Sequence, residues 1–102
     1  MPDLPIVCSL NAGELRARAE DLLPGLLRAA VERHDLPDGW RLRFAPREGL
    51  LPDIARTIDA ESRCCRFLRF LLTVEPDQGP VWLEITGPEG TREFLSDLFE
   101  PS

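Results

Sequence analysis

Two thiols and a carboxylate stand close together at Glu61, Cys64 and Cys65, in the stretch Asp59-Ala60-Glu61-Ser62-Arg63-Cys64-Cys65-Arg66-Phe67. Thiolates are soft donors suited to zinc, copper(I) or another thiophilic ion, and a nearby carboxylate can add an oxygen ligand or take up the proton that each thiol must lose. The third thiol of the chain, Cys8, could complete a three-thiolate corner with Glu61 beside it. The spacing is not a C-x-x-C knuckle. Adjacent cysteines on a helix diverge by about 100°, so they can share one tetrahedral ion only where the helix ends.

Two other chemistries fit the same residues. In a thiol-redox reading Cys64 attacks, Cys8 or Cys65 resolves, and Arg63 and Arg66 favour the thiolate; the carboxyl end of a helix and Glu61 both oppose negative charge on sulfur there. In a non-catalytic interaction module the cysteines are packing residues and binding resides on an exposed surface. No catalytic residue is assigned. His34 is the single histidine and reads as a solvent-facing or helix-capping group, and Gly87-Pro88-Glu89-Gly90 reads as a turn opening a helix rather than a phosphate loop.

Helical spacing places these groups. Leu51, Ile54 and Ile58 form an apolar stripe, with Glu61 and Cys65 near its middle and Cys64 at its rim. Glu61 therefore points toward the core, where a carboxylate must be held neutral, be paired or meet a metal. The plainer alternative is that Cys65 is a small core residue and that Glu61, near the helix end, reaches water. The helix is expected from about Leu50 to Cys65 or Arg66.

The remaining elements alternate around it. Ile6, Cys8 and Leu10 alternate with Val7 and Ser9 as a short first strand. A capping signal at Asn11 and Glu14 opens a helix through Leu15, Ala19, Leu22, Leu26 and Ala30 to about His34, with a kink or break at Pro24-Gly25. Leu36-Pro37-Asp38-Gly39 is a turn into a second strand at Trp40, Leu42 and Phe44. Phe70, Leu72 and Val74 mark a third strand, joined through Pro76-Asp77-Gln78-Gly79-Pro80 to a fourth with Val81, Leu83 and Ile85 inward, as an antiparallel hairpin. A last helix carries Phe94, Leu95, Leu98 and Phe99.

The order βαβαββα predicts an α+β fold: one domain over residues 1–102, a two-layer sandwich with the helices on one face of a four-stranded mixed sheet. The other face would show Val7, Arg41, Arg43, Leu71, Trp82 and Glu84, a half-apolar surface suited to a homodimer. A chain of 102 residues that is 43% hydrophobic has one core and no room for a second domain. Its net charge of -6 argues against nucleic acid or an anionic membrane as partner. The amino terminus lacks the features of a secretory signal and no segment approaches a membrane span, so a cytoplasmic setting with reduced thiols is expected. Every basic side chain apart from His34 is arginine, in keeping with a GC-rich coding bias.

Cys8-Ser9-Leu10, Gly39-Trp40-Arg41-Leu42-Arg43-Phe44, Glu61-Ser62-Arg63-Cys64-Cys65-Arg66-Phe67-Leu68 and Gly79-Pro80-Val81-Trp82-Leu83-Glu84-Ile85-Thr86-Gly87-Pro88-Glu89-Gly90-Thr91 carry a resemblance to a group of short bacterial proteins with no assigned activity. The resemblance spans nearly the whole chain. It implies a bacterial single-domain protein and brings no catalytic role with it.

Overall fold

The structure is a computed structural model that describes residues 22–99. The expected first strand, its Cys8 and the capping signal at Asn11 lie outside those residues. Helix α1 (22–29) is followed by strands β1 (Glu32–Leu36) and β2 (Gly39–Phe44) and by helix α2 (Leu50–Cys64). Strands β3 (Arg69–Val74) and β4 (Val81–Thr86) and helix α3 (Thr91–Phe99) complete the order.

The fold is α+β, and its described sheet differs from the expected mixed one. Its four strands lie in the order β1-β2-β4-β3, and every neighbouring pair is antiparallel. The element order also changes, because residues 32–36 are a strand and not the end of the preceding helix. The spacing predicts a helix running on through Glu32 and Arg33 to about His34, with Leu36 in the following turn, although the apolar repeat stops at Ala30. These charged residues have no apolar alternation, yet an edge strand can carry charges on both faces. A two-residue link, Pro37-Asp38, folds them onto β2.

Alternation then works as expected on the central strands. Trp40, Leu42 and Phe44 of β2 and Val81, Leu83 and Ile85 of β4 are buried, and they pair across the sheet as Trp40 with Ile85, Leu42 with Leu83 and Phe44 with Val81. Leu23, Leu26 and Leu27 of α1, Leu50 and Ile54 of α2 and Leu95 of α3 join them in one core cluster. Helix α1 continues through Pro24 and Gly25 over its described residues. Gly39 is obligatory: a Cβ there would lie 1.8 Å from the Ile85 carbonyl oxygen.

At the β1 edge of this core, the Arg33 guanidinium lies 4.3 Å from the centre of the Trp40 ring and 5.0 Å from that of Phe99, and the two rings meet edge to face. Arg92 of α3 reaches Asp35 at 3.4 Å. No helix among the described residues is long and apolar enough to cross a membrane.

Candidate functional site

The site is built on the last two turns of α2. Gly49, in the left-handed conformation at φ 84°, opens this helix without a side-chain cap, and Arg47 reaches back to Asp53 in the first turn at 2.9 Å. The buried face runs through Leu50, Ile54, Thr57, Ala60, Glu61 and Cys64. This stripe is rotated from the expected one: Leu51 is 40% exposed, Ile58 is half-buried, and Cys64, expected at the rim, is fully buried. Thr57 sits inward because its hydroxyl donates to the Asp53 carbonyl at 2.9 Å, which satisfies the one polar group it brings.

The helix ends between the two thiols. Cys65 has left helical geometry at φ −114° and ψ 78°, its N–H donates to the Glu61 carbonyl at 2.6 Å, and its own carbonyl accepts from Leu68 at 3.1 Å. Cys64 and Cys65 both lie in the core cluster, at 0% and 2% exposure. The following Phe67 packs edge to face on Phe94 of α3, with ring centres 5.1 Å apart, which ties the thiol corner to the last helix.

Glu61 is the anomaly in this environment. It is 1% exposed, and its Oε2 has no hydrogen-bond partner. Burial pushes its carboxyl up to about 7, and a hydrogen bond from the Cys65 thiol opposes that rise only in part. The carboxyl is thus poised between acid and carboxylate near neutral pH, with the Cys65 thiol as its hydrogen-bond partner.

The structure places Glu61, Cys64 and Cys65 on one buried helix end. Cys8 lies outside the described residues. Among the described residues, no group of three or more His, Cys, Asp or Glu side chains is arranged to hold a metal ion. Glu61, Cys64 and Cys65, though close in sequence, do not form such a group.

Other features were not apparent from the sequence. Arg41 lies 3.9 Å above the Trp82 ring on the open sheet face, where Arg43 pairs with Glu32 and His34 contacts Glu32 at 3.1 Å. His34 is thus solvent-facing on a strand and caps no helix. His34 first, and then Arg43, hold the Glu32 carboxyl below its ordinary range. A cavity of about 420 Å³ near the β1 edge is lined by Arg33, Asp35, Trp40, Arg92, Glu93 and Ser96, with none of the thiol corner among them. The Asp-Gly step after Leu36-Pro37 was the available signal for the β1–β2 hairpin, and with it for Arg33 over Trp40.

Compared with protein-family models, curated proteins and solved structures, the chain matches none.

Proposed function

We propose that this chain binds a thiophilic metal or metalloid ion, such as zinc or copper(I), through Cys64 and Cys65, with Cys8 as a third thiolate and Glu61 as proton acceptor or fourth ligand. The observation that carries the reading is the buried, unpartnered Oε2 of Glu61 beside the Cys65 thiol. Buried polar atoms in folded proteins are almost always satisfied, so an orphaned carboxylate oxygen among sulfur donors calls for a proton or a cation. The break in the helix at Cys65 supports it as well, since it frees the second thiol from the divergence that a continuous helix imposes. Ion binding would displace thiol protons, so affinity falls as pH is lowered. The reading is of a non-enzymatic cytoplasmic protein. Its fold is taken as two-layered, with the helices on the buried sheet face, supported by the single cluster that joins all three helices to β2 and β4.

Metal analysis of protein purified under reducing, metal-replete conditions tests this. One ion per chain is expected in the native protein, with stoichiometric loss in the Cys8→Ser, Cys64→Ser and Cys65→Ser variants. A metal-free native protein whose thiol reactivity is unchanged by soft ions would overturn it.

A second reading has its own support. Cys64 and Cys65 are as buried as the aliphatic core around them, which is the environment of structural cysteines. On that reading the same variants lose stability, on the order of 1–3 kcal/mol for a buried unpaired hydroxyl, and no ion is bound by any of them.

A further inference from the structure

Strand β3 is an edge of the sheet, and no strand among the described residues pairs with its outer side. Its register with β4 identifies the backbone groups left there. Glu75 donates to the Pro80 carbonyl at 3.3 Å, continuing the pairing in which Thr73 faces Trp82 and Leu71 faces Glu84. Antiparallel strands turn the N–H and C=O of alternate residues to opposite sides. Residues 69, 71, 73 and 75 therefore spend their backbone groups on β4, and Phe70, Leu72 and Val74 turn theirs outward.

One face of this edge carries Phe70, Leu72 and Val74; the other carries Leu71 and Thr73, flanked by Arg69 and, just past the strand, Glu75. Leu71, Leu72 and Val74 are 48%, 37% and 52% exposed. Natural sheets protect such edges with lysine, proline or a bulge, and β3 has no lysine or proline between Arg69 and Val74. By contrast, Arg41 on Trp82 and Arg43 on Glu32 already occupy much of the open sheet face.

We propose that β3 pairs with β3 of a second copy of this chain, antiparallel about a two-fold axis at Leu72, joining the four described strands of each copy in one continuous sheet. The register is set by hydrogen bonding and charge together. Centred on Leu72, the outward groups of Phe70, Leu72 and Val74 meet those of Val74, Leu72 and Phe70 of the other copy, and all are satisfied. Shifting by two residues in one direction sets Phe70 against Pro76, which has no N–H to give; shifting in the other sets Val74 against Leu68, beyond the end of the strand. The Leu72 register also places Arg69 of each copy opposite Glu75 of the other. Neither residue has an ion-pair partner among the described residues, and both stand at directly opposed, non-hydrogen-bonded positions where side chains approach most closely.

Sedimentation of the full chain over a wide concentration range, with residue-resolved amide exchange, tests the pairing. A reversible dimer is expected, with the Phe70, Leu72 and Val74 amides gaining protection as concentration rises. Arg69→Glu and Glu75→Arg should each weaken the dimer at least about tenfold, since each sets like charges opposite one another twice, while leaving the thermal midpoint of the monomer in place. An equimolar mixture of the two variants should recover the dimer, because each mixed pair restores both opposite-charge contacts. A monomeric native chain, a dimer indifferent to both variants, or a mixture no better than its components would each overturn the proposal. Protection of the three amides that does not vary with concentration would overturn it too, as the mark of an edge covered by the chain's own residues.

Discussion

At Glu61 two demands conflict: the helical stripe that places it against the core, and the solvation its carboxylate requires. Its carboxyl has an ordinary value of 4.5, and burial raises this to about 7 in the fold. Between those values the folded chain holds one more proton than the unfolded chain. Stability is therefore full below about pH 4.5, declines as pH rises through the window, and levels off above about pH 7. The total loss is on the order of 3 kcal/mol, at about 1.4 kcal/mol for each pH unit between the two values. Urea unfolding of metal-free protein at about pH 5 and about pH 8 should show this loss in the native chain and its absence in Glu61→Gln; equal pH dependence in the two would contradict the burial argument. The inward direction of Glu61 was legible from residue spacing. The full burial of Cys64 was not, because the stripe was anchored on Leu51 when the folded helix turns Leu50 inward instead.

Among the elements, the central strands and α2 declared themselves through clean periodicity. Trp40, Leu42 and Phe44 alternate at period two, and α2 ends where the sequence leads directly into β3. Strand β1 did not, since Glu32, Arg33, His34 and Asp35 offer no hydrophobic pattern and are held in place by pairing with β2. Its Arg33 nevertheless covers the Trp40 and Phe99 rings, a role visible only once the hairpin is formed. The backbones of β2 and β4 approach closely at Gly39, where β2 begins. Gly39→Ala drives a methyl group into the Ile85 carbonyl, which neither strand can yield without breaking the β2–β4 register. A loss of more than about 2 kcal/mol in denaturant unfolding is expected; a loss within about 0.5 kcal/mol would show that the strands part freely there.

For the molecule as a whole, composition and periodicity were enough to anticipate an α+β fold but not its sheet pairing. Parallel and antiparallel neighbours cannot be told apart from alternation alone, and the described strands are all antiparallel because hairpins join β1 to β2 and β3 to β4, with β2 beside β4 between them. The same topology leaves β3 at the edge of the described sheet and sets the thiol corner at the end of α2, just before β3. Binding of a soft ion at this corner, as proposed, would draw on Cys8, a residue far away in sequence. It is tested most directly by counting the thiols shielded from alkylation when one equivalent of zinc or copper(I) is added to the reduced, unliganded protein, with native mass measured in parallel. One bound ion and protection of all three cysteines, Cys8 included, are expected, with protection of Cys64 and Cys65 abolished by Cys8→Ser. No ion adduct, and thiol reactivity that is the same with and without the ion, would contradict it.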